Sequence, residues 1–369
     1  TGWMVGDTKL ATLSDTDTTN VVGTSKFTND LFTGWTPTGG SSFTVNGNGT
    51  VSVANGDGSA DAMLHSPNYT LVIGKTYVID IQTSSTSGTG LGLYLNSAGG
   101  PDGYLWDRAK TFVATQTSNT LFIYRYLGHN GTGTLDKVVL REAEADRSVN
   151  NKGLQVFGTV TKTAVATGAD LVGYSGFSSS NYLRQPYNSD LQVGTTGSIA
   201  FTFWFNLPGL PSASYFFDRA HSNGGKRIAV YINENGINVY TPNSAIPGFV
   251  FPYGVWNQLT VVRSGGTLRV YLNGVLKNSV ANAEDLNTDG SVASGLILGS
   301  RFSVEYFLAS GSMSLFRVSA TAPSAEQIAK IYNDEKHLFQ TNAKATLYGT
   351  SDAVTALAYD DDTELLHVG

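Results

Sequence analysis

The sequence predicts an all-β protein of two tandem β-sandwiches, with one helix and a short C-terminal β segment. Three observations carry this prediction. Glycine accounts for 42 of 369 residues and charged residues for 14%, against about 7% and about 25% in average proteins, a bias typical of short strands and tight turns. Apolar and polar residues alternate along most of the chain, as in strands with one buried face. The length suits two or three domains of roughly 100 to 200 residues.

The first series of strands begins at residue 23. Its apolar runs are separated by Gly, Asn and Pro and include "TVSVANGDGS", "KTYVIDIQTSS", "TLFIYRYLGHN" and "TLDKVVLREA". The charged segment "REAEADRSVNNKG", residues 141–153, has no apolar stripe and therefore indicates a domain boundary. We predict an N-terminal arm at residues 1–22 and a first sandwich at residues 23–145.

A second series of strands follows and ends in a helix. At 322–335 the apolar spacing changes from a strand period to a helical one, and Ser324 and Gln327 form a capping box. We predict a second sandwich at residues 150–336. Residues 337–369 contain further alternating runs but are too few to bury a core of their own, so we expect a β tail that leans on a neighbour.

Composition excludes several classes of function. The net charge is -6 and no basic run occurs, so nucleic acid is not an expected partner. No apolar stretch is long enough to span a membrane, and the N-terminal "TGWMVGDTKL" lacks the features of a signal peptide. The absence of cysteine excludes disulfides, thiolate metal sites and cysteine nucleophiles, and favours a bacterial or viral source.

The centre of the second domain is the hairpin "GVWNQLTVVRSGGTLRVYLNGVLKNSV", residues 254–280. Its Ser-Gly-Gly and Asn-Gly pairs supply two tight turns between alternating strands. This stretch resembles the tryptophan-led hairpin of laminin G-like domains, which belong to the concanavalin A-like lectins and glucanases. The flanking segments "FSSSNYLRQPYNSDLQVGTTGSIAFTFWFN", "LILGS" and "GSMSLFRVSATAPSAEQIAKIYNDE" agree with that family in the same order. The resemblance covers about residues 150–336 and implies a sandwich of that type.

The first domain resembles a jelly-roll carbohydrate-binding module. The segment "SKFTNDLFTGWTPTG", residues 25–39, is similar to the opening strand of such modules, and "IGKTYVIDI" and "GTLDKVVLREA" are similar to their middle and final strands. This resemblance implies that the two domains together form a glycan-binding protein.

No catalytic motif is present in the sequence. Glycosidases on this kind of sandwich need two carboxylates on one strand face, and the only dense acidic run, "EAEAD", lies in the segment taken as a linker. No serine-nucleophile elbow, zinc-binding helix motif or phosphate loop occurs, and the five histidines are scattered. We therefore predict that the protein is not an enzyme.

Aromatic side chains are the first candidates for glycan binding, since their rings cover the apolar C–H face of a pyranose. Each has a structural alternative. A core position is the alternative for the tryptophans, and packing along a sandwich edge or against another subunit is the alternative for the Pro-bounded loop that begins at residue 242. The candidates are Trp35, Tyr94, Tyr104 and Trp106 in the first domain and Phe249, Phe251 and Tyr253 in the second.

Calcium is a candidate cofactor. Oxygen-bearing residues alternate through "NGDGSAD", which makes Asp57 and Asp61 candidate ligands, although Ala60 stands where a calcium-loop turn of the EF-hand type requires Gly. The resemblances add Asp136, where the first family often carries a structural-calcium aspartate, and Asp218 in the second domain. A surface or turn carboxylate is the alternative for each of the four.

Tandem sandwiches without cysteine and with few charges resemble the distal or adaptor part of a bacteriophage tail fibre or spike. This resemblance implies a homotrimeric virion protein, made in the host cytoplasm, that binds bacterial surface polysaccharide and contacts other virion proteins. Two alternatives remain open. One is a structural fibre, decoration or adaptor protein whose sandwiches serve as docking modules, and the other is an ancillary region of a secreted polysaccharide-degrading enzyme.

Overall fold

The computed structural model describes residues 8–40, 42–54, 62–88, 92–95, 109–125, 131–148, 150–220, 226–287, 295–345, 357–360 and 365–368. They form antiparallel sheets and one α-helix, which confirms the all-β fold class. The first strands, in chain order, are β1 (Thr8–Thr12), β2 (Val21–Gly23), β3 (Thr36–Gly39), β4 (Phe43–Val45), β5 (Val51–Val53), β6 (Ala62–His65), β7 (Tyr69–Thr70), β8 (Thr76–Ser87), β9 (Gly92–Leu95), β10 (Ala109–Val113), β11 (Ser118–Asn119), β12 (Leu121–Arg125) and β13 (Thr132–Glu144).

Strands β3 to β13 build the first sandwich. One sheet has the order β3-β6-β12-β9, and the other has the order β4-β5-β13-β8-β10. Alternate residues of both sheets meet in a single apolar core, which includes Leu64, Tyr77, Ile79 and Ile123. The short strands β7 and β11 pair separately.

The remaining strands are β14 (Leu154–Ala164), β15 (Val172–Ser175), β16 (Tyr182–Pro186), β17 (Ile199–Asn206), β18 (Ser214–Ala220), β19 (Arg227–Asn233), β20 (Gly236–Tyr240), β21 (Ala245–Phe249), β22 (Asn257–Ser264), β23 (Thr267–Leu272), β24 (Val275–Ala281), β25 (Gly295–Leu298), β26 (Ser312–Ser319), β27 (Leu357–Asp360) and β28 (Leu365–Val368). The last two pair with each other. Short 3-10 helices span Thr28–Asp30, Ser189–Leu191 and Lys336–Phe339.

The second sandwich also has two sheets. One runs β24-β23-β22-β17-β26, and both β1 and β15 pair with the other edge of β26. The other runs β21-β20-β19-β18-β25-β16-β14. Phenylalanines from both sheets fill the space between them, and the rings of Phe201 and Phe217 stack with centroids 4.6 Å apart.

Helix α1, Ala325–Glu335, covers one face of this sandwich and begins where the sequence predicts. The Gln327 backbone N–H donates to Ser324 Oγ at 3.2 Å, and the Ser324 backbone N–H donates to Gln327 Oε1 at 2.7 Å, so the predicted capping box is confirmed. Ile328 is buried beneath the helix. No helix among the described ranges is long and apolar enough to cross a membrane.

Two predicted boundaries differ from the structure. Residues 8–12 and 21–23 do not form an arm, because β1 pairs with β26 and β2 pairs with β14 of the second sandwich. The segment 141–153 is not simply a linker either, since β13 continues to Glu144 and pairs there with β14. These partners lie far apart in the sequence, so local alternation could not reveal them. The first sandwich is thus inserted between β2 and β14 of the second.

Candidate functional site between the two sandwiches

Trp35, the first predicted glycan-binding residue, lies in the core of the first sandwich. Its side chain is only 4% exposed and packs against the rings of Phe27 and Phe32, at centroid distances of 5.2 and 5.1 Å. A ring that stacks on a sugar must offer one accessible face. In this structure Trp35 offers none, and its position matches the core alternative.

Most other first-domain candidates cannot be placed. Tyr104, Trp106, Asp57 and Asp61 lie outside the described residues. The backbone of Tyr94 belongs to β9, where it pairs with Phe122 of β12, and its side chain is outside the described part of the chain. The aromatic loop "GGPDGYLWDR" therefore stays a prediction.

The three aromatic residues of the second domain lie at one end of that sandwich. Phe251 is buried, with its ring centroid 5.2 Å from that of Phe205 and 5.0 Å from that of Tyr253. Phe249 is half-buried at the end of β21. Tyr253 is 45% exposed and is the one member of this group whose ring is open to solvent to that extent.

The structure describes two of the calcium candidates, Asp218 and Asp136. They differ in burial and in the number of hydrogen bonds that their carboxylates accept. Asp218 is fully buried, and its two oxygens accept hydrogen bonds from Arg227 at 2.7 and 2.5 Å and from the Phe302 backbone N–H at 2.8 Å. Both oxygens of Asp218 are therefore engaged in a buried ion pair with Arg227. Asp136 is half-buried and accepts a hydrogen bond from Ser84 at 3.0 Å. Within the described ranges, no three acidic or histidine side chains are grouped as a metal site.

A cleft of about 500 Å³ lies where the two sandwiches meet, and we call it the inter-sandwich cleft. One wall comes from strands β8 and β10 of the first sandwich. The other comes from the segment before β14 and the end of β16 in the second. The described lining residues are Val78, Ala109, Lys110, Thr111, Asn150, Asn151, Lys152, Gly153, Gln185, Pro186, Tyr187, Asn188 and Ser189.

The segment that crosses the cleft is held by one buried carboxylate. Asp146 accepts hydrogen bonds from the backbone N–H groups of Ala11, Ser148 and Lys152, at 2.9, 2.9 and 2.7 Å. Burial raises the pKa of this carboxyl, and these three hydrogen bonds act in the opposite direction. Asn151 adopts a left-handed conformation, with φ of 47°, in the turn that follows. The segment is thereby fixed against the second sandwich.

The opposite rim is shaped by the end of β16. Pro186 ends the strand, and Asn188 then caps the next 3-10 helix because its Oδ1 accepts the Asp190 backbone N–H at 3.0 Å. Lys152 Nζ donates to the same Oδ1 at 2.9 Å and to Asp190 Oδ2 at 2.5 Å. The half-buried Tyr187 lies between Pro186 and this capped turn and lines the cleft.

Two buried amide groups at the cleft each leave one polar atom without a protein partner. Gln185 is 2% exposed, and its Nε2 donates to the Lys152 carbonyl at 3.0 Å while its Oε1 accepts no hydrogen bond. Asn188 is 8% exposed, and its Nδ2 donates none. A buried polar atom left unsatisfied costs about 1–3 kcal/mol. Both atoms belong to residues that line the cleft, and each atom is itself buried.

The sequence prediction missed all of these cleft residues. The segment "QPYNSD" was visible only as part of the family resemblance, and "NNK" fell in the segment taken as a linker. The sequence nevertheless contained a signal for a binding site. A Tyr stands between a Pro and an Asn-Ser-Asp turn at the end of a strand, and loops at strand ends often carry binding residues.

Comparisons with known proteins agree with the fold of the second sandwich. A family model for laminin G-like domains, described as "Concanavalin A-like lectin/glucanases superfamily", matches residues 177–329. No curated protein matches the chain.

Several solved structures are similar to about half of this chain. The receptor binding domain of botulinum neurotoxin C/D mosaic serotype has 15% identity and a TM-score of 0.42 over 52% of this chain and 49% of its own. The binding domain of Paraclostridial Mosquitocidal Protein 1 has 15% identity and a TM-score of 0.43, with the same coverage. Domain 4 of AbnA, a GH43 extracellular arabinanase from Geobacillus stearothermophilus solved with arabinotriose, has 18% identity and a TM-score of 0.41 over 51% of this chain and 92% of its own.

Proposed function

We propose that this protein is a non-catalytic, lectin-like protein that binds a glycan in the inter-sandwich cleft. The observation that carries the proposal is a polar cleft of about 500 Å³ whose described lining carries amide and hydroxyl groups beside the Tyr187 ring. A sugar hydroxyl both donates and accepts hydrogen bonds, so it pairs with amide and hydroxyl groups alike. The Tyr187 ring supplies an apolar surface for the C–H face of the same sugar.

Binding rather than hydrolysis fits the described lining. Retaining and inverting glycosidases both use a pair of carboxyl groups that flank the scissile bond. The described lining residues carry amides, hydroxyls and two lysine ammonium groups instead. These groups hold and orient hydroxyls without acting as a paired acid and nucleophile.

The biological setting that we propose is a bacteriophage virion. The cysteine-free chain, the two sandwiches and the resemblance to fibre and spike proteins support a part of a tail fibre or spike that attaches to host surface polysaccharide. In this setting the protein is made in the host cytoplasm, acts outside it with other virion proteins, and assembles as a homotrimer. Light scattering coupled to size-exclusion chromatography tests the trimer directly.

The test of glycan binding is an array of bacterial polysaccharides probed with the intact chain and two variants, with calcium and with a chelator. Tyr187→Ala removes a ring from the cleft, and Tyr253→Ala removes an exposed ring that is not among the described lining residues. We expect Tyr187→Ala to weaken binding roughly tenfold or more, equivalent to about 1.4 kcal/mol, and Tyr253→Ala to bind like the unaltered protein. Calcium dependence of binding would support the proposed cofactor.

The opposite pattern would place the site at the end of the second sandwich instead. Exposed apolar residues at that end support the second candidate function, which is a structural or adaptor role with the sandwiches as docking modules. Val250 is 73% exposed and stands beside the exposed Tyr253 and Val255, a local group of apolar side chains of the kind that contacts other proteins. An array with no bound glycan under either condition, together with a stable complex with other virion proteins, would support this role.

A further inference from the structure

The described lining of the inter-sandwich cleft carries positive charge and no negative charge. Lys110 belongs to the wall from the first sandwich and Lys152 to the wall from the second, and the other described lining residues are neutral. The chain as a whole has 29 aspartates and glutamates against 23 lysines and arginines. The cleft therefore differs in the sign of its charge from the protein around it.

Lys152 presents an ammonium group at the rim of the cleft. Its Nζ donates to Asn188 Oδ1 at 2.9 Å and to Asp190 Oδ2 at 2.5 Å. An ammonium group has three N–H donors, so one remains for a ligand. The lysine and aspartate side chains are 42% and 33% exposed, and ion pairs that water reaches to this extent are weak. Asp190 therefore does not prevent the ammonium group from pairing with a second anion.

A buried arginine adds positive charge behind this rim. The Arg219 guanidinium donates to the carbonyls of Leu191 and Leu286, both at 2.7 Å, and to Gln192 Oε1 at 3.3 Å. These acceptors are neutral, so they satisfy its N–H groups without cancelling its charge. Burial lowers the pKa of Arg219 to about 10, which still leaves the group charged at neutral pH. Arg219 lies within electrostatic range of Tyr187, and charges interact more strongly in a protein interior than in water, so its field reaches the wall of the cleft.

We propose that the glycan in this cleft is acidic, and that a sugar carboxylate pairs with the Lys152 ammonium group while Lys110 adds positive charge from the opposite wall. This inference rests on the proposed function, because it names the class of glycan that the same cleft binds. Charge-assisted hydrogen bonds to a carboxylate are roughly twice as strong as those between neutral groups. A polysaccharide that contains uronic acids fits this set of groups, whereas a neutral polysaccharide gains nothing from the charge of the two lysines.

Binding to polysaccharides with and without carboxylates tests this proposal. The probes are polygalacturonate, alginate and hyaluronan, each beside its carboxyl-reduced form, with dextran and mannan as neutral polymers. We expect the intact chain to bind at least one acidic polymer roughly tenfold more tightly than its carboxyl-reduced form, because only the acidic form makes charge-assisted hydrogen bonds. This preference should disappear at about 1 M salt, where charges are screened beyond about 3 Å.

Two substitutions at the rim should act in opposite directions. Lys152→Gln removes the ammonium group and should weaken binding of the acidic polymer roughly tenfold, without changing the weaker binding of the carboxyl-reduced form. Asp190→Asn removes the competing carboxylate at nearly constant size and should strengthen binding of the acidic polymer roughly threefold. A substitution that only disturbed the structure of the rim would not increase affinity.

Lys226→Gln is the matched control. The Lys226 side chain is also 42% exposed and is also paired with an aspartate, Asp285, but it is not among the described lining residues. We expect this variant to bind every polymer like the unaltered protein. Equal binding of the acidic polymer by Lys152→Gln and Lys226→Gln would overturn the role of Lys152.

The remaining outcomes separate this inference from the proposed function. Equal binding of an acidic polymer and its carboxyl-reduced form, or tighter binding of dextran or mannan, would overturn the acidic class and leave glycan binding in place. If none of these polymers binds, a neutral glycan bound on the bacterial array would also overturn the acidic class. An array without any bound glycan would contradict the proposed function itself.

Discussion

The buried charged residues Asp218, Arg219 and Arg227 each have a specific partner in the part of the chain that the structure describes. Arg219 is 2% exposed, and its guanidinium donates to the carbonyls of Leu286 and Leu191, both at 2.7 Å. Asp218 on the adjacent position faces the other side of the sheet and holds Arg227 in a bidentate pair. Burying a charged group costs free energy, and a buried charge that has lost its partner costs more. Substitution of either partner should therefore destabilise the fold.

We expect Asp218→Ala to destabilise the second sandwich by about 3–5 kcal/mol, because Arg227 then keeps its charge in a nearly closed environment without a counterion. Chemical denaturation followed by tryptophan fluorescence measures this loss. Adding Arg227→Met to Asp218→Ala should recover part of the stability, since the unpaired charge is then gone. A single variant as stable as the unaltered protein would contradict this account of the pair.

Glu144 should make stability depend on pH with a defined sign. Burial raises its native pKa to about 7 from an ordinary value of 4.5, so the native state binds the proton more tightly than the unfolded chain. The stability from this group is therefore full below pH 4.5 and is lost as pH rises through about 7. The loss is up to about 3 kcal/mol.

The comparison is made between Glu144→Gln and the unaltered protein. We expect Glu144→Gln to be more stable than the unaltered protein at pH 8 and equally stable near pH 4, as measured by thermal denaturation across pH. A difference that does not change with pH would mean that Glu144 does not titrate in this range.

Single residues also mark the limit of prediction from sequence. Trp35 was a candidate because aromatic rings can stack on sugars. The local sequence does not distinguish a core tryptophan from one that faces a sugar. The contacts with the Phe27 and Phe32 rings place Trp35 in the core. Tyr187 and Lys152 are brought together with Lys110 only by the meeting of two sandwiches. The residues on the two walls of the cleft lie far apart in the sequence, so they form no contiguous motif.

Among the elements, α1 was predictable because its signals are local. Its cap, its apolar face and its strand-to-helix change of period all lie within one segment, 322–335. Strand β1 alternates equally well, yet its place in the second sandwich depends on Phe316 and its neighbours, which face it from β26. Element type can be predicted locally, whereas strand partners cannot.

The capping box gives a test at this scale. Ser324→Ala removes the acceptor for the Gln327 N–H and should cost about 1 kcal/mol of stability. Helix α1 also carries Tyr332, which stacks on Trp204 with ring centroids 5.6 Å apart, so near-ultraviolet circular dichroism should report loosening of the helix. Ser180→Ala, at an exposed serine of the same sandwich, serves as the control and should change neither signal. Equal stability of the two variants would argue against the cap.

For the whole molecule, the junction of the sandwiches depends on close packing around Gly153. A Cβ atom there would lie 2.9 Å from the Glu144 carbonyl oxygen and 3.0 Å from the Ala143 side chain. We expect Gly153→Ala to push the end of β13 away from the crossing segment, to cost about 1–3 kcal/mol, and to weaken glycan binding in the cleft. Gly209→Ala, where a Cβ meets nothing within 4 Å, is the matched control for calorimetry and binding. Unchanged affinity in Gly153→Ala would separate the junction from the binding site.

The insertion of the first sandwich between β2 and β14 has a kinetic consequence. A domain on one linker can swivel, but this one enters and leaves the second sandwich through two neighbouring connections, and its strand β13 is hydrogen-bonded on both sides of the junction. The two cleft walls are thus set when the chain folds. The entropy cost of aligning the two walls is therefore met during folding and not during binding. Because binding then needs no slow closure, the observed association rate should rise linearly with glycan concentration.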